Sequence, residues 1–301
     1  MTLSFQASGK LLISGEYAVL DGAEALACPT RKGQTLEFSP QQGNFIWESY
    51  TLDDKLWFRG IFNPRSFEIL STSDSSIATR LTQILQAVSA VKNDWQLPLE
   101  GQVQCRLAFD PQWGLGSSST LISLIAQWAS IDPYRLLQQT FGGSGYDIAC
   151  AQAAGPISYQ LKEDSIHVEE VKFKPPFHKQ LYFVYRNQKQ NSRLAMQHYR
   201  SQTIPADFIG DISAISRELI GCQQQEDFNR LLYQHEKLMG QVLKLQPIQT
   251  ELFSDFQGQI KSLGAWGGDF FLASCMGAEP KDYFQKKGYT VVIPFYEMLK
   301  I

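Results

Sequence analysis

Paired cysteines, long apolar runs and clustered charge are all missing from this chain, and each absence removes a class of protein. The five cysteines stand far apart, at positions 28, 105, 150, 222 and 275, with no C-x-x-C pair among them. That argues against a disulfide framework and against a zinc site, and points to a reducing, cytoplasmic setting. No apolar stretch comes near the ~20 residues that a bilayer-spanning helix needs. The opening residues, Met1-Thr-Leu-Ser-Phe-Gln6, lack the apolar core of a signal peptide. A net charge of −3 without any basic run gives no electrostatic reason to expect nucleic acid or an anionic membrane as partner. Two common nucleotide signatures are also missing. There is no G-x-x-x-x-G-K-[ST] and no G-x-G-x-x-G after a strand, so the chain is neither a P-loop protein nor an obvious Rossmann one.

What remains is an ordinary globular composition, 44 % hydrophobic and 19 % charged over 301 residues. That is enough chain for one large or two modest domains with real cores. Strand-like segments stand at 3–5, 11–13, 35–38, 44–48 and 56–58. A helix fits 77–91, with Leu81, Ile84, Leu85 and Val88 on one stripe. Residues 103–109 alternate as a strand, and two more strands flank a turn near Glu163-Asp164. Lys174-Pro-Pro-Phe177 reads as the main linker, because adjacent prolines stop helices and extend the chain. Beyond it come a strand at 180–185 and a helix carrying Phe228, Leu231, Leu232, Leu238, Met239 and Val242. A further helix is expected from Leu252, Phe253, Phe256, Ile260 and Leu263, then strands at 270–274 and 289–293. The mixture reads as an α+β fold in two lobes, 1–175 and 176–301.

Chemistry enters with three glycine-rich stretches. The first, Asp110-Pro-Gln-Trp-Gly-Leu-Gly-Ser-Ser-Ser119, feeds an amphipathic pattern of Leu121, Leu124, Ile125 and Trp128. A small-residue loop at a helix N-terminus is an anion site, because its unpaired N–H groups and the helix dipole point the same way. The same residues are equally a turn with a Ser-rich cap. The second, Phe141-Gly-Gly-Ser-Gly-Tyr-Asp147, precedes a small apolar segment, and the third is Gly264-Ala-Trp-Gly-Gly268. Each could be a turn, but three are more easily explained if they converge on one polyanionic ligand such as a nucleotide. Glycine lets backbone N–H groups approach phosphate closely.

Ser8-Gly-Lys-Leu-Leu-Ile-Ser-Gly-Glu-Tyr-Ala-Val-Leu20, Gly114-Leu-Gly-Ser-Ser-Ser119, Gly145-Tyr-Asp147 and Gly264-Ala-Trp-Gly-Gly-Asp269 fall in the order of the three GHMP kinase motifs. The chain resembles that superfamily over nearly its whole length. The Gly-Glu-Tyr-Ala-Val and Gly-Gly-Asp wording is most similar to phosphomevalonate kinase, then mevalonate kinase. The resemblance implies an N-terminal lobe like ribosomal protein S5 domain 2, a ferredoxin-like C-terminal lobe, and ATP in the cleft between them. It implies phosphorylation of a small molecule with Mg²⁺: phosphomevalonate first, mevalonate next. Gly114, Leu115, Gly116, Ser117, Ser118 and Ser119 then match the loop around the ATP phosphates, joined by Gly264, Gly267 and Gly268. Ser118 matches the hydroxyl that reaches the metal. Asp147 matches the catalytic aspartate, Lys10 the lysine paired with it, and Glu16 a glutamate near that lysine. The enzyme would work as a monomer or homodimer.

The chain departs from the pattern in places. Leu136 stands where the resemblance implies a magnesium-binding glutamate, and Asp132 is the nearest acid upstream. Trp266 occupies a family glycine, so it reshapes the substrate pocket, covers the phosphates or packs in the lobe interface. Ser8 replaces a proline, and Leu263 a Ser or Thr. These departures motivate a second class of reading, a non-catalytic GHMP-fold binding or regulatory protein. Retention of Lys10 and Asp147 argues against it. His235-Glu236 looks like the start of a zinc motif, but Met239 fills the second histidine position. Arg186, Lys189 and Arg193 either face an acidic substrate or lie in a solvated loop, and Tyr146 either touches substrate or packs.

Overall fold

The computed structural model describes residues 1–92, 95, 99–163, 165–188, 192–266, 268–277 and 279–301, with backbone only at 192 and 193. In chain order the strands are β1 (Leu3–Ser14), β2 (Ala25–Pro40), β3 (Phe45–Tyr50), β4 (Leu56–Phe62), β5 (Ile69–Thr72) and β6 (Gly101–Leu107). They continue as β7 (Ile157–Lys162), β8 (Ser165–Glu170), β9 (Leu181–Tyr185), β10 (Gly258–Ser262), β11 (Phe270–Cys275) and β12 (Val292–Pro294). The helices are α1 (Ser75–Val91), α2 (Ser117–Ala129), α3 (Pro133–Thr140), α4 (Tyr146–Gln152) and α5 (Ser192–Arg200). After them come α6 (Phe208–Gly221), α7 (Gln225–Leu243), α8 (Ile248–Leu252), α9 (Lys281–Lys286) and α10 (Phe295–Met298). Among the described residues no helix is long and apolar enough to cross a membrane.

Packing divides the chain into two compact units. The first holds Met1–Gly9, Lys32–Pro111 and Leu115–Gln152; the second holds Lys10–Arg31, Gln112–Gly114 and Ala153–Ile301. The expected division at residue 175 falls inside the second unit. These units follow packing, whereas the expected lobes follow chain order.

In the first unit the strand order is β5-β4-β3-β6-β2. Pairing is antiparallel except for β3 with β6, where Phe45 faces Gly101 in parallel register. Strict alternation explains the half-buried strands: Phe45, Trp47 and Ser49 of β3 and Val103, Cys105 and Leu107 of β6 turn to the core. The stripe expected on α1 is its buried face, and Asp74 caps the helix by accepting from the N–H groups of Ser76 and Ile77.

The second unit contains the antiparallel order β10-β11-β9-β12, with Ile260 opposite Ala273 and Phe271 opposite Val184. Residues 25–27 of β2 pair with β7, and β7 pairs with β8. The turn expected between β7 and β8 includes Asp164, which lies outside the described residues.

Two expectations about elements are corrected. Segments 3–5 and 11–13 are one strand, β1. The helix expected over 252–263 stops at Leu252, and 258–262 is strand β10. Spacings of four residues are also even spacings, so Leu252, Phe256 and Ile260 suit a strand period as well as a helical one. Gly258 settles the matter. Its φ is +141°, and a Cβ there would lie 2.0 Å from the carbonyl oxygen of Ser274 on β11, so only glycine permits this pairing.

Candidate functional site

In the first unit, the glycine–serine loop leads directly into α2. Gly116 has φ +88° and caps α2 without a side-chain acceptor for the first helical N–H groups. Those donors and the positive end of the helix dipole remain directed at the loop. The hydroxyls divide by position. Ser119 and Thr120 are buried and bond inward: Ser119 to the Gly116 carbonyl at 2.9 Å, Thr120 to Gln34 Oε1 at 2.6 Å. Ser119 therefore offers a ligand its backbone rather than its hydroxyl. Ser117 and Ser118 instead line a cavity of about 330 Å³. Its walls include Trp47, Trp57, Phe58 and Phe141. The Arg80 guanidinium lies 4.0 Å over the Phe141 ring and donates to the Thr140 carbonyl, which stiffens one wall. A flat aromatic group attached to an anion matches this combination of aromatic walls and helix N-terminus.

Asp147 lies half-buried in the first turn of α4, and its Oδ1 accepts the Ile148 N–H at 3.0 Å. Burial, with the charges of Cys150, Asp132 and Asp147, pushes the nearby Tyr134 hydroxyl up to about 12. Asp132 is a helix cap, accepting the Tyr134 N–H at 2.9 Å. Leu136 is wholly buried in the apolar core of this unit. A carboxylate at 136 would pay a large desolvation cost, which rationalises leucine there.

In the second unit, two glycine stretches distant in sequence meet at one side chain. Gly114 (φ +67°) packs so tightly on Asp269 that a Cβ would lie 2.3–2.6 Å from its carboxyl group. Gly264 (φ +65°) faces the same group, with a would-be Cβ 3.9 Å from Asp269 Oδ2. Asp269 itself has φ +55°, and its backbone is held by Arg186 N–H donating to its carbonyl and by its own N–H donating to Gln188, both at 2.7 Å. Gly268 is buried beside it, and Gly267 lies outside the described residues. Trp266 keeps a glycine-like φ of +27°, yet its indole is buried among Tyr17, Tyr199, Met239 and Val242. It packs as core. The Arg186 side chain pairs with Glu251 at 3.7 Å. Lys189 and the Arg193 side chain lie outside the described residues.

Lys10 is half-buried on β1 in this unit. Glu16, two residues past the end of β1 and just after Gly15, has partners that the sequence did not suggest. It is fully buried, with Oε1 2.5 Å from Lys261 Nζ and Oε2 3.1 Å from His235 Nε2. Burial raises its carboxyl, but Lys261 and His235 outweigh burial and hold it below the usual carboxylate range. His235 is kept below its usual value by burial and by Lys261. Glu236 is also fully buried, and burial pushes its carboxyl up to about 8 against the pull of Lys261. Nothing in the sequence marked Lys261, a lone lysine between Ile260 and Ser262. His235-Glu236 was visible only as a false zinc signature. Among the described residues no group of three or more His, Cys, Asp or Glu could hold a metal ion.

No protein-family model matches this sequence, and no curated protein does. Solved structures do match in fold. The Lin0012 protein from Listeria innocua aligns with a TM-score of 0.72 at 16 % identity, over 98 % of this chain and 97 % of that one. The Streptococcus pneumoniae phosphomevalonate kinase, in complex with phosphomevalonate and AMPPNP, aligns with a TM-score of 0.70 at 16 % identity, over 95 % of each chain. The Methanococcus jannaschii mevalonate kinase aligns with a TM-score of 0.69 at 16 % identity, over 97 % of this chain and 96 % of that one.

Proposed function

We infer that this chain, whose fold is that of the GHMP kinases, transfers the γ-phosphoryl group of ATP to a small-molecule acceptor of the mevalonate-pathway type. Phosphomevalonate is the favoured acceptor and mevalonate the next. The observation that carries the nucleotide reading is the Gly116-capped start of α2 beside a cavity of about 330 Å³ with aromatic walls. The helix N-terminus suits phosphates, and the aromatic walls suit a base.

Phosphoryl transfer passes through a loose transition state, so positioning and charge neutralisation supply most of the catalysis. Asp147 is assigned to orient the attacking oxygen and accept its proton. Lys10 is assigned to neutralise the transferring group. Gly114, Leu115 and Gly116 shape the phosphate loop, with Gly264, Gly267 and Gly268 as the second glycine contact. Mg²⁺ keeps most of its waters and needs few protein oxygens when it arrives on a nucleotide. The exposed Ser118 hydroxyl at the first turn of α2 fits that modest demand. Bound there, the ion would offset phosphate charge.

Calorimetry with ATP and Mg²⁺ tests the nucleotide site, and binding is expected. An ADP-release screen over phosphomevalonate, mevalonate, homoserine and sugars tests the reaction. Absence of ATP binding would sink the kinase reading. Binding with no turnover on any acceptor would favour a regulatory protein of the same fold.

A further inference from the structure

We propose that the Glu16–Lys261 ion pair and the adjoining His235 form a buried clasp that positions the Lys10 strand and the Gly264 turn relative to each other. Its catalytic consequence rests on the kinase reading above; its structural consequence does not. All three side chains are fully buried in the second unit, on three separate segments of the chain. Glu16 follows β1, His235 lies on α7, and Lys261 lies on β10.

The bonding is directional at Lys261, at Glu236 and at Gly15, whereas His235 Nε2, which accepts from Gly15, only lies beside Glu16 Oε2. Lys261 Nζ donates to Glu16 Oε1 and, at 2.9 Å, to the carbonyl of Ser262. The Ser262 N–H donates in turn to Glu236 Oε1 at 2.9 Å, while Glu236 Oε2 accepts the Ile248 N–H at 3.3 Å. The Gly15 N–H donates to His235 Nε2 at 3.1 Å. Both main-chain groups of Ser262, the last residue of β10, are thus held just before the turn that begins at Gly264. The opposite end of the clasp holds Gly15 and Glu16, just after the strand that bears Lys10. Gly15 cannot be replaced without displacing Ala25, because a Cβ there would lie 2.6 Å from the Ala25 Cβ. The connection therefore has little slack.

Apolar residues of similar volume would fill this space, and burying a charge pair is costly. What an apolar pair cannot supply is fixed hydrogen-bond direction. The ion pair acts as a positioning device, and none of its members needs to touch substrate.

The test uses the full chain as wild type, Glu16→Gln, Lys261→Met and the Glu16→Gln/Lys261→Met double variant. Each single variant leaves a buried charge alone and is expected to lower the denaturation midpoint. The double variant is expected to recover most of the midpoint while amide exchange over 263–269 stays about tenfold faster than wild type. On the acceptor found by the screen, its kcat is expected to fall by roughly 10²-fold with a smaller change in KM. A double variant with wild-type midpoint, exchange and kcat would overturn the clasp and leave a space-filling pair. A second comparison is independent of whether the double variant folds. His235→Gln keeps an acceptor for the Gly15 N–H and should protect 10–22 and 263–269 from exchange as wild type does, whereas His235→Leu should not. Equal protection in both would overturn the proposal. Failure of wild type to bind ATP would remove the kinase reading, while the exchange measurements would still decide the clasp.

Discussion

At Gly114 one methyl group decides the outcome. A Cβ would lie 2.3 Å from the Asp269 carboxyl carbon, and the backbone already has a left-handed φ of +67°. Gly114→Ala should therefore cost roughly 1–3 kcal/mol of stability and weaken ATP binding, as read by urea denaturation and calorimetry. Asp147→Ala should lower turnover by about 10²–10⁴-fold with an unchanged far-ultraviolet dichroism spectrum, and Lys10→Ala should act in the same direction. Wild-type turnover in Asp147→Ala would remove its assignment as base. Glu236 carries a pH prediction. Its carboxyl is raised from 4.5 to about 8 by burial, so the folded state holds a proton that the unfolded chain has released. Its contribution to stability therefore falls as pH rises from about 4.5 to about 8, then levels off. Glu236→Gln should flatten that slope in denaturation curves taken across the range, and an unchanged slope would show that Glu236 ionises normally. The glycines and Lys10 could be singled out as candidates because their motif order carries a resemblance. Lys261 could not be, because a lone lysine in a short mixed segment looks the same in sequence whether it reaches solvent or pairs with a buried acid.

At the scale of elements, α2 is the part most fully written in the chain. Its apolar spacing predicts the helix, and Gly116 predicts an open N-terminus. The cavity beside it required β3 and β4 to bring Trp47 and Trp57 together, which no local pattern announces. Trp57 is 41 % exposed, so removing it should spare the core. If the nucleobase stacks there, Trp57→Ala should weaken ATP by about tenfold or more, since base–aromatic stacking is worth ~1–3 kcal/mol. Unchanged affinity by calorimetry would place the base elsewhere. Other elements show where sequence patterns run out. The stripe of Phe228, Leu231, Leu232, Met239 and Val242 on α7 is legible, because its spacing is helical only. The stripe at 252–260 is ambiguous, because multiples of two serve both periods. There the choice belonged to Gly258 and its neighbour strand.

At the scale of the whole molecule, the order of the glycine motifs implied an α+β GHMP fold, and the solved structures that align with nearly the entire chain have that fold. Composition alone had narrowed the field, by lacking metal-type cysteine pairs, spanning segments and basic runs. By itself the sequence determined the fold class, and it singled out the Gly114–Ser119 loop, Lys10 and Asp147 as candidates, because these depend on local spacing and on motif order. Tertiary structure decided what only distant neighbours can decide. It put Leu136 in the core and Trp266 in a packed cluster. It set Asp269 against two glycines and gave Glu16 the partners Lys261 and His235. Those outcomes turn on desolvation and steric contact between residues far apart in the chain, and neither quantity exists until the chain has folded.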